Sequence, residues 1–181
     1  MSRRQTVRSL FVVSTLAVFF VAGCASLSKR DCLEGDWERI GRQDGSQGQT
    51  RARLQKHTEA CAEFGVVPDT ARYETGYKDG LAIYCTPSNG FRLGKEGGVY
   101  QSVCPASLEG QFLARYRAGR EIYQLEQQLR SISQRMITLE GQLDKEKSES
   151  GRRRIREDLY RLRDERDQAQ RRLTVLEVRN E

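Results

Sequence analysis

Two hydrophobic patterns organise the chain. The more regular one starts at Ile122 and runs through Leu125, Leu129, Ile132, Met136, Leu139 and Leu143, in alternating steps of three and four. Charged and amide side chains fill the positions between. This is a heptad seam, and it predicts a long helix packed along its length on another helix. A helix over residues 108–147 would be ~60 Å long at 1.5 Å per residue. Residues 147–151, Lys-Ser-Glu-Ser-Gly, interrupt the pattern. Ile155, Leu159, Leu162, Ala169, Leu173 and Leu176 resume it out of phase, with Arg166 in one apolar slot. A turn at 149–151 would fold the second helix back and hide both stripes in one molecule. One long helix that dimerises with a stutter is the alternative, so a homodimer stays open.

The other pattern is looser and lies upstream. Trp37 is followed by Gly41, Asp44-Gly45 and Gly48; Tyr73 by Gly76, Asp79-Gly80 and Tyr84; Phe112 and Tyr116 by Gly119 and Tyr123. On helices, Gly41 and Gly45 share a face with Trp37, and Gly76 shares one with Gly80. Such a stripe lets another backbone come close. Each interior glycine costs a helix about 1 kcal/mol, so the stripe needs a packing reason. The competing reading makes Asp44-Gly45 and Asp79-Gly80 hairpin turns. The flanking residues lack the alternating β-branched positions of strands, so helices are preferred. Between the two stretches, residues 49–64 read as a helix with Leu54, Cys61 and Phe64 toward the core. Gly65 ends it, and Asp69 caps the next helix. Residues 86–90, Thr-Pro-Ser-Asn-Gly, carry turn chemistry. Residues 91–100, with Gly94, Gly97 and Gly98, read as a glycine-rich loop. It matches neither glycine-loop phosphate fingerprint.

The N-terminus changes the compartment. Arg3, Arg4 and Arg8 precede an apolar run over residues 10–21, too short for the ~20 residues that span a bilayer. Val21-Ala22-Gly23-Cys24 follows and reads as a lipobox. Cleavage before Cys24 would leave a thioether-linked diacylglycerol on its sulfur and an amine open to a further acyl chain such as palmitate. Each buried CH₂ contributes about 0.8 kcal/mol to anchoring. Ala25, rather than Asp, follows the cysteine, which points to the outer membrane. The three signal arginines account for half of the +6 formal charge. The remainder is too small to argue for nucleic acid.

An exported chain puts cysteines in an oxidising compartment. Cys32, Cys61, Cys85 and Cys104 remain after Cys24, an even number that implies two disulfides. Three pairings are possible. Cys32–Cys61 with Cys85–Cys104 closes short loops and is preferred. A metal is disfavoured, because there is no Cys-x-x-Cys and His57 is the only histidine. His57 reads as a solvated residue of a polar helix.

Asp36-Trp37 with Gly41 and Asp44-Gly45, Tyr73-x-x-Gly76-x-x-x-Gly80-Leu81-x-x-Tyr84-Cys85, and Gly94, Tyr100, Val103-Cys104-Pro105 and Tyr116-x-x-Gly119 together resemble the bacterial lipoprotein family called domain of unknown function 2799. The resemblance covers about residues 32–125. It implies a cell-envelope lipoprotein and supplies no activity or catalytic residue.

The expected fold is mainly α: a small disulfide-bridged helical domain with a Gly-rich loop, then a long helical or coiled-coil hairpin. The divisions are a signal peptide (1–23), a lipidated spacer (24–31), the cysteine-containing domain (32–118) and the arm (119–179). The expected function is that of a lipid-anchored envelope lipoprotein, facing the periplasm, that meets a protein partner through its arm. No cofactor is implied. The arm's charges are dense but of both signs, which reads as a solvated face. The alternative is an envelope hydrolase or glycan-binding protein acting on wall polymer. Asp44 and Asp79 would be its carboxylates, or Trp37, Tyr73 and Tyr100 its sugar platform. No Ser/His/Asp grouping is legible.

Overall fold

A computed structural model describes residues 26–180. Cys24 and the signal segment lie outside the described residues. Seven helices follow in order: α1 (Lys29–Glu34), α2 (Trp37–Ser46), α3 (Ala52–Ala62), α4 (Thr70–Tyr84), α5 (Pro87–Lys95), α6 (Ala106–Lys145) and α7 (Glu149–Asn180). Short polar side chains start four of them. Ser28, Asp36, Asp69 and Thr86 accept backbone N–H groups at the heads of α1, α2, α4 and α5. Each satisfies a donor that the first turn leaves free.

The glycine stripes do face another backbone. α2 packs on α4, and α5 packs on α6. A methyl added at Gly41 would meet the Tyr73 carbonyl, and one at Gly45 the Tyr77 carbonyl; Gly76 and Gly80 lie against the carbonyls of Glu38 and Arg42. In the second pair, Gly90 lies against the Phe112 carbonyl, Gly94 against Tyr116 and Gly119 against Phe91. The axes come close enough that main-chain atoms touch, which only hydrogen at Cα allows.

The two pairs are copies of one unit. Along the first helix, Gly41, Gly45, Gly48 and Gln49 correspond to Gly90, Gly94, Gly97 and Gly98, a shift of 49 residues. Along the second, Tyr73, Tyr77, Gly80 and Tyr84 correspond to Phe112, Tyr116, Gly119 and Tyr123, a shift of 39. The contacts repeat with the residues. The Tyr77 hydroxyl donates to the Gln49 carbonyl at 2.6 Å, and the Tyr116 hydroxyl to the Gly98 carbonyl at 2.9 Å. Gly48 and Gly97 turn out of their helices at φ +68° and +76°, and the rings of Tyr84 and Tyr123 cover them. A disulfide encloses the first helix of each pair: Cys32–Cys61 around α2 and Cys85–Cys104 around α5. The preferred pairing is the one present. Each bridge contributes ~2–4 kcal/mol.

The glycine-rich loop expected over residues 91–100 is corrected. α5 covers Pro87–Lys95, and the loop proper is residues 96–105. Thr86 and Pro87 looked like turn residues; they are the cap and first position of a helix. Gly90 and Gly94 are the close-contact glycines of the second pair.

α6 and α7 form the antiparallel hairpin. Glu121 faces Arg172, Gln128 bonds Glu165, and Arg115 reaches the Asn180 side chain at 2.6 Å. Two apolar clusters fill the seam. Ile122, Leu125, Ala169, Leu173 and Leu176 make the lower one; Ile132, Met136, Leu159 and Leu162 make the upper. Exposed Arg166, paired with Asp167, lies between them in sequence, where the stripe has no apolar residue. The break falls at 146–148, earlier than the turn expected at 149–151. Ser148 Oγ accepts the Gly151 N–H at 3.0 Å, so the serine opens α7. Arg152 donates to the Leu143 and Glu146 carbonyls and closes α6. α6 runs without interruption through residues 118–119, where the two parts of the chain were expected to join.

Gly76→Ala is expected to cost several kcal/mol, because its methyl would overlap the Glu38 carbonyl oxygen. Gly110→Ala has open space around it and should stabilise by about 0.5–1 kcal/mol. Thermal melts of both variants check this, and equal effects would contradict the close-contact assignment.

Candidate functional site

The polar centre of the molecule sits in the first helix pair. Asp44, in the third turn of α2, is buried beneath α3 and α4. The Tyr73 hydroxyl donates to its Oδ2 at 2.8 Å. His57 Nε2 lies 2.8 Å from the same oxygen. A carboxylate only accepts, so Nε2 carries the proton. In the neutral ring Nδ1 is then an acceptor, and Ser26 Oγ fills it at 2.8 Å. The ring is 1% exposed, which corrects the expectation of a solvated histidine.

Ser26, His57 and Asp44 therefore form a hydrogen-bonded serine–histidine–carboxylate chain, which the sequence reading did not find. No spacing connects Ser26, beside the signal segment, to a histidine on α3. The usable signal was narrower: the single histidine four residues before Cys61, which the Cys32–Cys61 bridge ties to the start of the fold. Chemically the chain can hold a serine hydroxyl against a base. The serine meets Nδ1 and the carboxylate meets Nε2, the reverse of the catalytic arrangement in serine proteases.

The second unit shows what this cluster replaces. Leu93 stands at the position of Asp44 and Phe112 at that of Tyr73. Both pack in the apolar core. The two units share a backbone arrangement, one with a polar centre and one without. Burial of a carboxylate is costly unless its bonds are complete, and here Tyr73 and His57 both serve it.

The other expected site residues separate. Asp79 is on the surface and pairs with Arg42 at 3.0 Å, whereas Asp44 is inside. The structure does not bring them together as a carboxylate pair. Trp37 and Tyr73 are buried. Tyr100 is half-buried, donates to Glu109 and accepts the Cys104 N–H, each at 2.9 Å. These three aromatics belong to the core, where the Tyr100 and Phe112 rings lie 4.8 Å apart. A polar groove of about 540 Å³ is lined by residues of both units, Gln47, Gln49, Thr50 and Tyr84 from the first and Arg92 and Gln101 from the second. Along the arm a hollow of about 310 Å³ lies beside Gln134, Thr138, Leu139 and Arg161. Among the described residues no group of histidines, cysteines or carboxylates could hold a metal ion. None of the described helices is long and apolar enough to cross a membrane.

Burial holds several phenols protonated. It raises Tyr73, with the Asp44 carboxylate adding to the effect, and it raises Tyr77 and Tyr84. Tyr100 is pushed up to about 12 by burial, opposed by the Cys104 N–H and assisted by Glu109.

Residues 36–121 match the model of a family described as protein of unknown function (DUF2799), the family whose motifs this stretch carries. The match takes in α2 to α5 and the first part of α6, and stops one residue before the first seam position, Ile122. No curated protein and no solved structure matches the chain.

Asp44→Leu is expected to cost about 2–4 kcal/mol, because it leaves the Tyr73 hydroxyl and the His57 N–H unpaired. Tyr73→Phe should cost about 1 kcal/mol. Together they reproduce the Leu93–Phe112 solution, so the double variant should lose less than the sum by about 1 kcal/mol in a denaturant cycle. Strict additivity would show that the centre is not coupled.

Raised phenol values make alkali destabilising. Below about pH 10 the tyrosines are protonated in both states. Above it the unfolded chain releases protons that the folded chain retains, so stability falls as pH climbs, for Tyr100 up to about 12. Melting temperature should drop across that window together with the onset of tyrosinate absorbance. A flat profile would contradict it.

Proposed function

We propose that this chain is a lipid-anchored lipoprotein of the cell envelope, attached through Cys24 and facing the periplasm, whose role is to present the α6–α7 hairpin to a protein partner. The hairpin's rigid continuity with the core is the observation that carries the reading. α6 belongs both to the second helix pair and to the arm, so whatever binds the arm is held at a set geometry to the anchored body. The hairpin seam is filled by its own side chains, yet Ile137, Tyr160, Val175 and Val178 remain exposed on its outer faces. Two buried disulfides suit an oxidising compartment. The lipobox before Cys24 supplies the address, with the outer membrane as its destination.

A second reading rests on the Ser26–His57–Asp44 chain. A serine held by an imidazole that is itself held by a carboxylate has the residue types used for acyl transfer, with the two ring nitrogens exchanged. The enclosure of the His57 ring argues for a structural role, since a leaving group needs room beside the base.

Cys24→Ser is expected to move the protein from the membrane fraction to the soluble periplasm. A photocrosslinker at Gln134 or Arg163 in intact cells should give one dominant adduct, lost when Ile137 and Tyr160 become Asp in a variant of unchanged melting temperature. An adduct made only with a second copy of the chain would make the arm a dimer seam, and no adduct at all would remove the partner reading. A fluorophosphonate probe should leave Ser26 unmodified; labelling that His57→Ala abolishes would put hydrolysis first.

A further inference from the structure

We propose that the face formed by α1 and the middle turn of α3 beside His57 rests directly on the phospholipid headgroups, so that the first helix pair sits flush on the bilayer. The inference rests on lipid attachment at Cys24. The sequence implied a polar spacer over residues 24–31. The described part of that segment is folded instead. Ser26 Oγ bonds buried His57, Leu27 packs on the core, Ser28 caps α1 in a reciprocal box with Asp31, and Cys32 is bridged to Cys61. Only Ala25 separates Cys24 from the first pinned residue.

Chain geometry then fixes the height. Two trans peptide steps span at most about 7 Å between Cys24 and Ser26. The headgroup layer on each side of a bilayer is roughly 5–7 Å deep. A cysteine tied to the bilayer by a glyceryl thioether, itself only a few bonds long, therefore holds Ser26 within a few ångströms of the headgroup layer. The side chains nearest in sequence to this contact suit such a surface. α1 carries Lys29 and Arg30 beside exposed Leu33, and Lys56 adjoins His57 on α3. Asp31 is turned back to Ser28, and Glu34 pairs with Arg30 at 2.7 Å. Basic stems beside an exposed apolar residue are the pattern of an interfacial helix. The Ser26–His57 bond acts here as a positioning contact: it converts a flexible tether into a fixed mount.

The test uses the full lipidated protein in phosphatidylcholine–phosphatidylethanolamine vesicles, with lysine acetylation read by mass spectrometry. Lys29 and Lys56 should react several-fold more slowly than Lys95, which lines a hollow at the base of the hairpin. A Gly-Ser linker of about 16 residues inserted after Ala25, averaging roughly 20–24 Å end to end, should restore their reactivity to that of Lys95. The same spectra report the mass of the N-terminal peptide. An unmodified Cys24 would sink the anchor reading itself. Lipid on Cys24 with Lys29 and Lys56 as reactive as Lys95, or protection unchanged by the linker, would overturn the flush mounting alone.

Discussion

Contact between helix backbones is the constraint from which the rest of this molecule follows. At seven buried glycines in α2, α4, α5 and α6 the neighbouring main chain occupies the space a side chain would need. Such contacts bury little apolar area of their own. They set the axis spacing, and the large aromatics then fill the margins. Tyr84 and Tyr123 cover the turns that end α2 and α5, while Tyr84, Phe112, Tyr100 and Tyr116 join one unit to the other. The disulfides follow the same plan, each enclosing the helix that the glycines hold close.

Duplication explains why the polar centre stands out. Two units with matching backbone contacts differ in their middle: Asp44 and Tyr73 in one, Leu93 and Phe112 in the other. The difference tracks the link between the paired helices, which covers residues 47–69 in the first unit against 96–105 in the second, and carries α3 in the first. α3 brings His57, and His57 brings Ser26. The second unit has a short loop there and needs no buried acceptor. The hydrogen-bonded centre is thus the feature in which two otherwise matching units differ, and what it gains for the molecule is a hold on the N-terminal segment.

Much of this was legible from residue order. The steps of three and four from Ile122 to Leu143 located the arm, because a seam buried along one side must repeat. Gly41 with Gly45 and Gly76 with Gly80 were read correctly as facing helices, since their flanks lacked strand character. Gly90 and Gly94 were not, because Thr86, Pro87 and Asn89 are as common in turns as at helix starts and the local sequence alone does not separate the two. The duplication was visible as a loose recurrence, yet its two shifts, 49 and 39, hide it from any search for one period. His57 was misread for a different reason. A lone histidine among Lys56, Thr58 and Glu59 has a solvated helix as its neighbourhood in sequence, and its partners come from α2 and from the chain start.

α6 has two tenants, since it completes the second helix pair and also forms half of the arm. From Gly119 to its end at Lys145 it extends roughly 40 Å at 1.5 Å per residue. Sideways load at the tip is therefore delivered as torque on the crossing of Gly94 with Gly119, the point where main chain meets main chain with no side chain to yield. The arm is a lever, and its fulcrum is a contact of backbone on backbone.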